Sequence, residues 1–148
     1  MKLAICYVSA HHGNTKKLVE GVARKVPADL FDLTKTPAPD LSGYDLVGFA
    51  SGVYYGGLHK TMEAFLERAN FRPEQKVFFL VTCGIAYRDY SKAAQKQLRA
   101  RGVNVLGAFQ CRGYDTFGPF GKIGGIAKGR PNETDIRRAQ VLVDKAAK

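Results

Sequence analysis

The sequence predicts an α/β domain of three layers: a five-stranded parallel sheet of order 2-1-3-4-5 with helices on both faces. Three observations predict it. Short apolar runs alternate with amphipathic stretches along the whole chain, as strand–helix–strand crossovers require. The 148 residues, 45% of them apolar, suit a single domain, residues 1–148, with a sizeable core. The first apolar run also breaks into a helix through a short loop of small and hydrogen-bonding residues. Backbone N–H groups and the helix dipole make such a loop a ready anion site.

The first strand is Leu3 to Val8, apolar almost throughout, as a strand buried on both faces should be. Leu18, Val19, Val22, Ala23 and Val26 then recur at helical spacing and predict a helix from about Thr15 to Val26. A short second strand, Asp29 to Leu33, ends in the polar, proline-containing linker Thr34–Ser42. The third strand is Leu46 to Ala50, followed by the loop Ser51–Leu58 and a helix from Lys60 to Ala69. The fourth is Lys76 to Thr82, followed by the loop Cys83–Tyr90 and a helix from Ser91 to Arg101. The fifth is Asn104 to Cys111. A long loop, Arg112–Pro131, precedes a last helix from Asn132 to Ala147, which Asn132 can cap with Asp135 at the third position. In this strand order the ligand site lies where Ser9–Thr15, Ser51–Leu58 and Cys83–Tyr90 converge.

Composition narrows the class. No apolar run approaches the ~20 residues of a membrane span. Leu3–Val8 is shorter than the apolar region of a signal peptide, and no small-residue cleavage pattern precedes it, so a cytoplasmic protein without membrane association is expected. Cys6, Cys83 and Cys111 lie far apart at or near the ends of apolar runs, which reads as buried reduced thiols rather than a disulfide or metal site. The net charge is +10, from 23 Lys and Arg against 13 Asp and Glu. These cations are scattered, with no run of five and no interleaving of aromatic and basic residues on a strand, so nucleic acid is not the indicated partner.

The three loops carry the candidate site. Neither G-x-x-x-x-G-K-[ST] nor G-x-G-x-x-G occurs in the first, so neither triphosphate hydrolysis nor dinucleotide binding is indicated. Instead Gly13-Asn14-Thr15 closes the loop onto the helix, with Gly13 permitting close backbone approach to an anion. The second loop sets Tyr54 and Tyr55 among Ser51, Gly52, Val53, Gly56 and Gly57. The third runs Thr82-Cys83-Gly84-Ile85-Ala86-Tyr87. Both can border a flat heterocycle. Taken singly, the first loop also reads as a helix cap and the second as a turn with two exposed tyrosines, and the third alone is unremarkable. No catalytic base, nucleophile or metal site emerges, and Cys83 reads as a packing residue.

Together these features resemble the flavodoxin family over essentially the whole chain, strand by strand, which implies a flavodoxin-like three-layer sandwich. The resemblance rests on Gly13-Asn14-Thr15 after the first strand, Ser51-Gly52-Val53-Tyr54-Tyr55 after the third, and Gly129-Arg130-Pro131-Asn132-Glu133 before the last helix. It implies non-covalent FMN and single-electron transport between redox proteins. It also implies that Ser9, Ala10, His11, His12, Gly13, Asn14 and Thr15 hold the FMN phosphate. Ser51, Gly52, Val53, Tyr54, Tyr55, Thr82, Cys83, Gly84 and Tyr87 would then flank the ring, with Tyr54 and Tyr87 the stacking residues and the backbone carbonyl of Gly52 or a neighbour facing flavin N5. The alternative is an FMN-dependent reductase acting on a quinone-like or porphyrinogen substrate. No pyridine-nucleotide motif supports that oxidoreductase reading. A phosphoacceptor receiver of the same sheet order would need aspartates where Ser9, Ala10 and His11 stand.

Three features depart from the family. The basic balance would repel a conventional basic partner, so the redox partner is expected to be acidic or the contact mainly apolar. The Arg112–Pro131 loop is long, and its Tyr114, Phe117, Pro119 and Phe120 would cover the ring edge, form a docking patch or close the core beyond the fifth strand. Hydroxyl residues of the usual phosphate loop are replaced by Ala10, His11 and His12. A phosphate dianion beside the two imidazoles favours their protonated forms. FMN affinity is therefore expected to fall as pH rises through the imidazole range. An affinity titration from mildly acidic to alkaline pH checks this, and a flat curve would make the histidines spectators.

Overall fold

Side chains of successive strand residues point to opposite faces, so a strand apolar at every position needs cover on both sides. The computed structural model describes residues 1–9, 11–114, 123 and 125–148. Its strands are β1 (Leu3–Val8), β2 (Asp29–Asp32), β3 (Leu46–Tyr54), β4 (Gly57–Leu58), β5 (Lys76–Cys83) and β6 (Asn104–Arg112). Its α-helices are α1 (Asn14–Lys25), α2 (Lys60–Arg68), α3 (Lys92–Ala100) and α4 (Glu133–Ala146). The parallel strands lie in the order β2-β1-β3-β5-β6, and β4 pairs antiparallel with β3. The five parallel strands are those expected, in the expected order.

Leu3, Ile5 and Tyr7 of β1 pack with Leu46, Phe78 and Leu80 under α1 and α4. Ala4, Cys6 and Val8 pack with Val47, Phe49, Phe79 and Val81 under α2 and α3. One residue's shift in register would turn each set to the wrong layer. Gly48 lets this core close, because a Cβ there would stand 2.5 Å from the Phe78 ring. Cys6, Cys83 and Cys111 are free and buried. Burial pushes the Cys6 and Cys111 thiols up to about 12. No helix among the described residues is long and apolar enough to cross a membrane.

Two segments differ from expectation. Ser51, Gly52, Val53 and Tyr54 are strand rather than loop: Ser51 and Gly52 pair with Val81 and Thr82 of β5, and beyond them β3 outruns the sheet and folds back on itself. Val53 pairs with Leu58 and Tyr54 with Gly57 across a two-residue turn. Tyr55 (φ 52°) and Gly56 (φ 80°) are both left-handed, as a type I′ hairpin turn demands. His11–Gly13 form a 3₁₀ turn rather than open loop, with His12 left-handed at φ 57°. Ala10, Phe117, Pro119 and Phe120 lie outside the described residues.

The start of α4 follows the predicted cap. Asn132 Oδ1 accepts from the Asp135 amide at 3.0 Å, and Asp135 Oδ2 accepts from the Asn132 amide at 2.8 Å. The Arg130 guanidinium adds two bonds to Asp135, at 2.6 and 2.7 Å. Burial, the largest single influence on this carboxyl, pushes it up, but the bonds from Arg130 and Asn132 outweigh it and hold it below 3.8. Its charged form therefore stabilises the fold above the carboxylate range, and that contribution is lost as pH falls through the lowered value. Asp135→Asn is expected to cost about 2–3 kcal/mol at neutral pH. Urea unfolding should show that penalty shrinking in acid; a penalty independent of pH would contradict the account.

Candidate functional site

Right-handed crossovers start α1, α2 and α3 beyond the ends of β1, β3 and β5, so the N-termini of these helices gather at one edge of the sheet. A cavity of about 340 Å³ opens there, at the ends of β1, β3, β5 and β6. Its floor is a pair of buried hydroxyls: Thr15 Oγ1 in the first turn of α1 and Thr82 Oγ1 at the end of β5, 3.0 Å apart. The Lys16 amide donates to Ser9 Oγ at 3.0 Å, which closes the 3₁₀ turn onto α1. Gly13 is the N-cap, left-handed at φ 65°, a conformation glycine adopts without strain. Asn14 Nδ2 donates to the Tyr114 carbonyl at 2.8 Å. This contact requires glycine at 113, where a Cβ would stand 2.6 Å from Asn14 Nδ2. The His12 ring stacks on Tyr114 with centroids 4.3 Å apart.

The hairpin forms one wall. Ser51 Oγ donates to the Gly52 carbonyl at 2.8 Å and accepts from the His59 amide at 3.0 Å, fixing the two ends of the hairpin together. Tyr54 lies edge-on to His59, with centroids 4.8 Å apart, and its ring folds back over Gly52. Tyr55 stands out from the turn, 89% exposed.

The segment after β5 forms the other wall, and side chains hold it in shape. Tyr90 Oη donates to the Ile85 carbonyl at 3.0 Å. Gln110 accepts from the Tyr90 amide at 3.1 Å and donates to the Arg88 carbonyl at 2.6 Å. Arg112 Nε donates to the Gly84 carbonyl at 2.8 Å. Tyr87 meets Tyr90 edge to face at 5.7 Å. The Arg88 guanidinium lies 5.8 and 5.1 Å from these two rings and donates to the Gly56 carbonyl, clasping the hairpin turn to the opposite wall.

The structure brings most of the predicted residues together. Asn14, Thr15, Gly52, Val53, Tyr54 and Tyr55 line the cavity, as do Thr82, Cys83, Gly84 and Tyr87. Ser9, Gly13 and Ser51 support it from behind. Asn14 and Thr15 are engaged with Tyr114 and Thr82. His12 sits beside Tyr114, and Ala10 and the side chain of His11 lie outside the description. The predicted set left out Tyr90 and Gly113, together with Gly56 and Ile85, all of which line the cavity, as does Tyr114 of the long loop. The Tyr87-x-x-Tyr90 spacing was the available signal for Tyr90; nothing in the sequence marks Gly113. No carboxylate, imidazole, guanidinium or ammonium lines the cavity among the described residues. An uncharged, tyrosine-walled cavity of this volume suits a flat heterocycle. The turn into α1 beside it offers backbone amides and a positive dipole end to an anion.

The sequence pattern of the flavodoxin domain matches residues 4–119. An uncharacterized protein of Methanocaldococcus jannaschii is 37% identical over 142 residues, 95% of this chain and 94% of that protein. A solved flavodoxin from the domain Archaea is similar with a TM-score of 0.66 at 16% identity, over 95% of this chain and 92% of that one. A Fusobacterium nucleatum flavodoxin variant bound to flavin mononucleotide reaches 0.66 at 13% identity, over 97% and 94%. At these identities the likeness to the solved structures is one of fold.

The Thr15–Thr82 pair generates a prediction. Thr15→Val should cost about 1–3 kcal/mol, because it strands the Thr82 hydroxyl in the core. Thr15→Val/Thr82→Val should cost less than the sum of the single changes. Denaturant unfolding of the four proteins measures this, and strictly additive penalties would contradict the pairing.

Proposed function

Since this chain belongs to the flavodoxin domain family, we propose that it binds FMN non-covalently and carries single electrons between redox proteins. The observation that supports this most is the uncharged, tyrosine-walled cavity opening beside the first turn of α1. A phosphorylated flavin needs that pairing: a flat apolar slot for the ring, and an anion site a short reach away.

Bound FMN would supply reversible electron transfer. In this reading the 3₁₀ turn and the first turn of α1 hold the phosphate through backbone amides and the helix dipole. Tyr54 and Tyr87 flank the ring, and the backbone of 52–53 and 83–85 meets its polar edge. Aromatic packing favours the less charged oxidised flavin and lowers the potential for full reduction. Arg88 keeps the two walls at a fixed separation by clasping Gly56. Among the described residues, the ionisable groups lining the cavity are the tyrosine phenols and the Cys83 thiol. None is the carboxylate or imidazole that most often serves as a general acid, which favours a carrier over a reductase.

Purified protein is expected to be yellow, and protein stripped of flavin to take up FMN with a Kd below about 1 µM. Potentiometric titration should resolve two one-electron steps. A colourless protein indifferent to added FMN would overturn the proposal. Oxidation of NADH or NADPH by the protein alone, with a quinone present, would replace the carrier with a reductase.

A further inference from the structure

Three helices begin on the rim of the cavity, and each has lysine in its first turn. Lys16 and Lys17 stand in the first turn of α1, Lys60 opens α2 and Lys92 opens α3. Neither α1 nor α3 has an acidic residue in its first turn. Lys16 meets Glu20 one turn on at 3.9 Å, and α2 has Glu63 in its first turn; cations at a helix N-terminus oppose the dipole, so helix formation does not account for Lys17, Lys60 and Lys92. Arg88 and Arg112, whose guanidinium groups bond the Gly56 and Gly84 carbonyls of the two walls, add two more cations. Asp89, between them in sequence, is bonded to Ser91 and Gln95. Inside this ring of positive charge the surface is apolar and aromatic. Tyr55, Tyr87 and Ile85 are 89%, 72% and 47% exposed, and all three border the cavity mouth.

We propose that this rim docks an acidic redox protein. Tyr55, Ile85 and Tyr87 make the central contact, and the surrounding cations orient the partner. The proposal rests on the carrier reading above, because the docked face is the mouth of the flavin cavity. An apolar, aromatic centre inside a charged border is the anatomy of a protein–protein interface. Opposite charge on the partner steers the encounter and makes it sensitive to salt.

The test titrates the ¹⁵N-labelled full chain, with and without FMN, with a plant-type ferredoxin as the acidic probe. Amide shifts are expected at 54–60, 84–92 and 113–114, with affinity falling about tenfold as salt rises from low to physiological strength. Lys60→Glu/Lys92→Glu should weaken docking about tenfold and leave FMN affinity unchanged. Glutamate is favoured at both positions by the helix dipole, so this variant is expected to fold. Shifts spread evenly over the outer faces of α1 and α4 would overturn the proposal. So would rim shifts as large with basic cytochrome c, or with a short DNA duplex, as with ferredoxin. Because the readout is the amides of this chain, the two readings fail separately. Ferredoxin docking without FMN uptake overturns the carrier and keeps the surface; FMN uptake without rim shifts does the reverse.

Discussion

Strands that run parallel cannot be joined by tight turns, and this constraint shapes the whole molecule. Each crossover must carry the chain back to the starting edge; α1, α2 and α3 do so for three of them, and the segment 33–45 does so between β2 and β3. The crossover helices α1, α2 and α3 therefore begin beyond the ends of β1, β3 and β5. The sheet edge that collects the N-termini of α1, α2 and α3 holds the cavity for the same reason. The Thr15–Thr82 hydrogen bond is where this constraint becomes local, tying the first turn of α1 to the end of β5 inside the core.

The polar groups near the cavity serve as braces more than as reagents. Ser51 holds the two ends of the hairpin, Gln110 and Tyr90 shape the opposite wall, and Arg88 spans the gap between them. Asn14 links α1 to Tyr114, whose amide donates to the Arg130 carbonyl, and Arg130 holds Asp135 at the head of α4. Through this chain of contacts the first and last helices meet at the cavity rim. Among the described residues the lining holds no carboxylate, imidazole, guanidinium or ammonium group, while Arg88 and Arg112 brace its walls from outside it.

Much of this was legible in the residues. The alternation of apolar runs with 3.6-residue periodicity fixed the strand order, because few topologies satisfy parallel pairing and handedness at once. Asn132 and Asp135 announced their cap. The hairpin was not legible, because β4 is only Gly57–Leu58 and its turn is Tyr55-Gly56 rather than the Asn-Gly or Asp-Gly that signals type I′ geometry. The engagement of Asn14 with Tyr114 and of Thr15 with Thr82 joins residues 100 and 67 positions apart. No local pattern encodes such pairs. His12 likewise reads as a loop residue until the fold brings the Tyr114 ring against it.

The central claim is that one end of the cavity is built for a phosphate and the other for a flat ring. Comparing the affinities of FMN and riboflavin for the flavin-free protein, by quenching of flavin fluorescence, tests it most directly. The account predicts FMN bound at least ~100-fold more tightly, about 2.7 kcal/mol, the phosphate being the only difference. Equal affinities would contradict it.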